Sequence, residues 1–156
     1  MIDTDRPQRK HTRLQGFHYT TISSYFITIC TYNRRKLFWT SDLQGSLSEA
    51  GIVAARTAAF IPLKFDLVSV DNFVVMPDHV HLLLTLHGSL PGSDRTTPNL
   101  SNIIGWYKST VTRKVGTAGK TWQKSYYDHI IRNETDYNDA WDYIDYNPQK
   151  YINKNL

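Results

Sequence analysis

A chain of 156 residues and 18.1 kDa fits one domain with a single core. Its 40% hydrophobic content contains no run near the ~18 apolar residues of a membrane helix, and its polar, basic N-terminus lacks a signal-peptide core. The lone Cys30 excludes a disulfide scaffold or a cysteine zinc site and makes a reducing cytoplasm the expected compartment. A net charge of +4 favours a polyanionic partner, while the 13% aromatic content suits base stacking or plain core filling.

Between Arg6 and Lys36 stand Arg6, Arg9, Lys10, Arg13, Arg34, Arg35 and Lys36 with no acidic residue among them. Within the first 22 residues, Pro7 to Gly16 are too polar to pack. Those 22 residues read as a basic arm, either a solvated tail or a phosphate contact, ahead of a single domain over 23–156. Tyr25 to Thr31 is β-branched and aromatic, hence a central strand. Ser46 and Glu49 have capping-box spacing before a helix through Ile52 and Phe60 that Pro62 should stop. Asp66 to Met76 and His79 to Leu86 read as paired strands about the Pro77-Asp78 turn. After a Gly/Pro/Ser/Thr-rich loop over 88–98, Leu100 to Val115 has helical spacing. Trp122 to Arg132 holds a short strand at Ile130-Ile131. Glu134 to Pro148 is a helix with Tyr137, Ala140, Trp141 and Ile144 on one stripe. The order predicts an α+β, ferredoxin-like βαββαβ antiparallel sheet with helices on one face, plus an added C-terminal helix.

His79 and His81 are two apart on a strand, so both project from one face, and two imidazoles there can share a metal ion. They can equally be two half-exposed histidines that happen to alternate. Tyr143 and Asn147 are four apart on the last helix and share a face: the phenol can attack phosphorus and the amide oxygen can complete a metal shell. A packing tyrosine and a helix C-cap before Pro148 are the plainer alternatives, and spacing alone does not choose. A phenol ordinarily titrates at ~10, so attack calls for a proton acceptor. His129 is considered for that task, with a structural histidine the simpler reading.

Three blocks go further. The run Phe73-Val74-Val75-Met76-Pro77-Asp78-His79-Val80-His81-Leu82-Leu83, the pair Trp122-Gln123 with Tyr126 to Glu134, and Tyr143-Ile144 with Asn147-Pro148 resemble the single-tyrosine transposases. Within them the chain is most similar to the REP-associated tyrosine transposase branch, and Arg13-Leu14, Gly16, Tyr25 to Thr31 and Asn33-Arg34 fit too. The resemblance implies that His79, His81 and Asn147 hold Mg²⁺ or Mn²⁺ and that Tyr143 is the nucleophile. It implies single-stranded DNA beside a hairpin as substrate, cut and rejoined without ATP through a 5′-phosphotyrosine. Arg9, Lys10, Arg13, Arg34, Arg35, Lys36 and Lys108 are then the expected DNA-binding residues, on a monomer or homodimer. The alternatives are a non-catalytic ferredoxin-like binder of single strands and a metal-dependent hydrolase that never becomes attached to DNA.

Overall fold

The computed structural model describes residues 22–88, 92, 94–116 and 119–155, so the basic arm, with Arg9, Lys10 and Arg13, lies outside the described residues. β-Branched and aromatic residues build β1 (Ser23–Cys30), β2 (Val68–Val75), β3 (His79–Leu86) and the short β4 (Tyr127–Ile130). They form one antiparallel sheet in the order β2-β3-β1-β4. The register sets Thr28 opposite His81, Cys30 opposite His79, and Phe26 between Leu83 and His129. Because side chains alternate along a strand and cross-strand partners share a face, all of these lie on one side of the sheet.

The other side carries α1 (Glu49–Lys64) and α2 (Leu100–Val115), packed with Ala54, Ala58, Ile61, Ile103, Ile104 and Tyr107 on Ile27, Ile29, Leu82 and Leu84. Tyr107 is fully buried, and its hydroxyl donates to the Ala54 carbonyl at 2.9 Å, tying the two helices together. The third helix, α3 (Glu134–Lys154), lies on the histidine face. There Ala140 and Ile144 close a second small core with Phe26 and Leu83. Ile144 is 2% exposed, and burial of a side chain of that size stabilises the docking by roughly 1.5–3 kcal/mol. The expected sandwich with its added C-terminal helix is thus the observed architecture.

Four local expectations are corrected. The N-cap of α1 is Ser48 rather than Ser46: its hydroxyl accepts from Gly51 N at 3.1 Å and donates to the Leu37 carbonyl at 2.7 Å. Pro62 does not stop α1. Proline forfeits one backbone bond, and the buried Ile61, whose carbonyl accepts from Phe65 N at 2.9 Å, holds the final turn. Pro148 likewise sits inside α3, which runs two turns further because Tyr151 meets the Trp39 ring edge-on at 5.4 Å and Ile152 packs on the main core. Asn147 is therefore a mid-helix residue and not a C-cap. The second strand is also shorter than expected. It starts at Val68, after Leu67 in the left-handed region, and a register shift between Val70 and Asn72 bulges it at Asp71.

Candidate active site

The turn that launches β3 is fixed by backbone bonds from Met76 N to the His79 carbonyl at 2.8 Å and from Phe38 N to the Pro77 carbonyl at 3.0 Å. His79 follows at the rim and His81 one pleat further in, and their ring centroids are 4.6 Å apart. The alternative of two half-exposed histidines does not hold for His81, which is 1% exposed. Phe26 stacks on the His81 ring at 5.0 Å, and Tyr143 of α3 meets the same ring edge-on at 5.3 Å. Tyr143 also stands edge-on to Phe26 at 5.8 Å. Chain segments more than 60 residues apart in sequence thus bring both histidines and the tyrosine into one ring cluster.

The hydrogen bonds select which imidazole nitrogens are available. Nδ1 of His81 bonds the Thr28 hydroxyl at 3.0 Å, and Nε2 is buried without a partner. Burial, with His79 beside it, holds the His81 imidazole well below its usual range, so it is neutral; in the tautomer whose Nδ1 donates to Thr28, Nε2 carries the lone pair. Nδ1 of His79 bonds Asp78 Oδ1 at 2.7 Å, which leaves its Nε2 as the other available nitrogen. Burial pushes the Asp78 carboxyl up, but the bonds from His79 and Arg34 more than offset this and hold it below the usual range.

Asn147 lies one turn beyond Tyr143 on α3, and its Nδ2 is likewise buried without a partner. A half-turn of the amide exchanges that nitrogen for the oxygen. Burying a polar atom unpaired costs about 1–3 kcal/mol. His81 on β3 and Asn147 on α3 each carry such an atom, which a bound ligand could satisfy. Among the described residues no three His, Cys, Asp or Glu side chains are grouped to hold a metal. Any site here rests on two imidazoles and one amide, a donor set that fits a divalent ion and leaves positions open for oxygens of a substrate.

The other expected residues fall elsewhere. Arg34 donates to Asp78 Oδ2 at 3.1 Å and to Cys30 Sγ at 2.8 Å, while Arg35 donates to the Lys120 carbonyl at 2.7 Å. Lys36 is exposed on the same turn. Lys108 donates to the carbonyls of Gln123 and Ser125, both at 2.9 Å, which ties α2 to the segment before β4. His129 bonds both oxygens of Asp136, at 2.9 and 2.8 Å, and Asp136 also accepts from Arg132 N, so His129 is built into the start of α3. Of the other tyrosines, Tyr126 is buried in the main core, Tyr127 is half-buried on β4 and Tyr146 is 71% exposed.

Two polar groups were not legible as site residues. In the sequence Asp78 reads only as a turn residue, although an aspartate directly before a strand histidine is a visible signal. Asp71 on the β2 bulge accepts from Ser69, Thr85 and Tyr137, and Asn72 beside it donates to Asp145 at 3.0 Å. Together they pin α3 across the sheet edge. Nothing in the spacing signalled this pinning, because it depends on the bulge.

No protein-family model matches the chain. A REP-associated tyrosine transposase of Escherichia coli (strain K12) is 30% identical over 134 residues, covering 86% of this chain and 71% of the relative. The chain belongs to that family. An uncharacterized protein of Haemophilus influenzae is 31% identical over 158 residues, covering 90% of this transposase and 88% of the relative. Among solved structures, a REP-associated tyrosine transposase bound to a REP hairpin superposes with a TM-score of 0.65 at 25% identity, over 92% of this chain and 74% of that one. As in the sequence, no helix among the described residues of this transposase is long and apolar enough to cross a membrane.

Proposed function

We propose that this transposase cuts and rejoins single-stranded DNA beside a hairpin, with Tyr143 as nucleophile and His79, His81 and Asn147 holding a divalent ion. The observation that carries the reading is the ring cluster: Tyr143 packs edge-on against a fully buried histidine whose Nε2 has no partner among the described residues. Buried polar atoms are rarely left unsatisfied in a packed core, which supports a ligand for this nitrogen. Bound there, Mg²⁺ or Mn²⁺ would neutralise charge on the scissile phosphate; the two imidazole donors favour Mn²⁺ over the oxygen-preferring Mg²⁺.

The chain's own groups account for the rest. The Phe26 and His81 rings hold the Tyr143 side chain at the sheet, so its direction of attack is set before substrate arrives. The Tyr143 oxygen forms a bond to phosphorus as the bond from phosphorus to the 3′ oxygen breaks. The net proton transfer runs from the phenol to the departing 3′ oxygen. The product is a 5′-phosphotyrosine and a free 3′-hydroxyl, and reversal of the same step rejoins a strand without ATP. Arg35, Lys36 and the basic arm supply phosphate contacts. The hairpin carried by the related solved structure supports a hairpin as the recognised feature.

The test is cleavage of labelled hairpin DNA with single-stranded flanks, in Mn²⁺, beside a fully paired duplex of the same sequence. Cutting of the flanked hairpin far in excess of the duplex is expected, with label retained on the protein in a denaturing gel. Equal cutting of both, with no retained label, would replace this reading with a general nuclease.

A further inference from the structure

We infer that Asp78 is a positioning residue for His79 and that Arg34 fixes Asp78 in that task. The inference rests on the metal reading above. The two carboxylate oxygens of Asp78 are divided between two partners: Oδ1 accepts from His79 Nδ1 at 2.7 Å, and Oδ2 accepts from Arg34 Nε at 3.1 Å. The first bond fixes the His79 tautomer, so that Nε2 presents its lone pair, and it also sets the angle of the ring. A carboxylate behind a ligating histidine does both. The pair is shielded: the Asp78 and His79 side chains are 17% and 14% exposed, against 53% for Arg34.

The backbone is built to hold this arrangement. Asn33 and Arg34 both occupy the left-handed region, at φ 54° and 53°, a conformation that a residue such as arginine keeps only where its surroundings hold it. Here they do. Arg34 N bonds the Thr31 carbonyl at 3.1 Å, and Thr31 donates from both its N and its hydroxyl to the Asp78 carbonyl, at 2.9 and 3.1 Å. The strained turn after β1 and the turn before β3 are therefore one unit. It sends the Arg34 side chain back over Cys30, the residue opposite His79 in the sheet, where its second bond meets Sγ at 2.8 Å. A guanidinium committed to DNA phosphate alone would need neither the strain nor the thiol contact. Arg34, expected from the sequence to bind phosphate, is thus drawn into supporting the site.

The experiment titrates the full-length protein with Mn²⁺ alone, reading free Mn²⁺ by electron paramagnetic resonance, and then measures adduct formation against Mn²⁺ concentration. Asp78→Ala is expected to weaken Mn²⁺ binding about 10–100-fold. Its adduct formation should return at high Mn²⁺, a shift in metal midpoint that mere damage to the turn would not give. Asp78→Asn, which keeps an acceptor for His79, should lose less, and Arg34→Met should also fall between wild type and Asp78→Ala. Mn²⁺ affinity of folded Asp78→Ala within twofold of wild type would overturn the inference. Should Asp78→Ala lose its circular dichroism signature, unchanged affinity in both Asp78→Asn and Arg34→Met would overturn it equally. Wild-type protein that binds no Mn²⁺, or a His79→Ala variant that binds it as well as wild type, would overturn the metal reading and this inference together. Intact wild-type binding with unaffected Asp78 and Arg34 variants would overturn this inference alone.

Discussion

The double substitution His81→Leu with Thr28→Val asks whether the buried histidine serves the fold or the chemistry. His81 is 1% exposed, and its Nε2 lacks a partner, a desolvation debt of about 1–3 kcal/mol that leucine removes. The bond from His81 to Thr28 contributes about 1 kcal/mol net, and taking away both partners at once leaves no new orphan. Loss of the ring contacts with Phe26 and Tyr143 costs about 0.5–1.5 kcal/mol, largely returned by the more apolar leucine. The balance is a metal-free protein about 0 to 2 kcal/mol more stable than wild type, where a typical core substitution loses about 1. Urea unfolding in chelator should show this. Saturating Mn²⁺ at about a hundred times its dissociation constant should then raise wild-type stability by about 2.7 kcal/mol and the double variant by nothing. A double variant that is less stable by more than 1 kcal/mol in chelator would refute the argument, because it would mean that Nε2 is satisfied within the fold.

Other consequences are as direct. Tyr137→Phe removes the 2.8 Å bond to Asp71 that helps pin α3 and should lower stability by roughly 1 kcal/mol in thermal or urea unfolding at neutral pH. Burial and the Asp71 carboxylate raise the Tyr137 phenol to about 12 in the fold, against ~10 unfolded, so the unfolded state releases its proton first. The advantage of wild type over Tyr137→Phe should therefore be complete below pH ~10 and fade as pH rises towards about 12. Gly51→Ala should be destabilising by about 1–3 kcal/mol, since a Cβ there would stand 2.0 Å from the Phe38 carbonyl oxygen; a neutral result would mean that the α1 start is loosely seated. Deleting residues 1–13 should reduce the slope of log K against log salt for single-stranded DNA by up to about 3, at ~0.7 per lost phosphate contact of Arg6, Arg9, Lys10 and Arg13. An unchanged slope would make the arm a plain tail.

Local patterns carried much of this molecule. The strand at His79–Leu86 and the helix at Leu100–Val115 have the bounds that alternation and helical spacing predict, because each is decided by near neighbours in sequence. Prolines 62 and 148 misled, since each removes one backbone bond, and whether a helix survives that loss depends on distant packing at Ile61, Tyr151 and Ile152. The alternation of His79 and His81 was visible, but not that Phe26 and α3 would roof His81, a fact set by the β1-β3 register. Tyr143 stood out by resemblance to the transposases rather than by spacing, and its meeting with His81 is a tertiary contact. The same limit applies to Lys108: its charge reads as a phosphate contact, whereas its bonds to the Gln123 and Ser125 carbonyls appear only once α2 meets the loop before β4.

The central claim is that Tyr143 becomes covalently joined to DNA. The most direct measurement traps the protein on hairpin DNA with single-stranded flanks in Mn²⁺, digests it, and locates the nucleotide-bearing peptide by mass spectrometry. Wild type should carry the nucleotide on Tyr143, and Tyr143→Phe should carry none while keeping its stability and its DNA affinity, because only a hydroxyl is lost. A nucleotide on Tyr126, Tyr127 or Tyr146, or an undiminished adduct in Tyr143→Phe, would contradict the account.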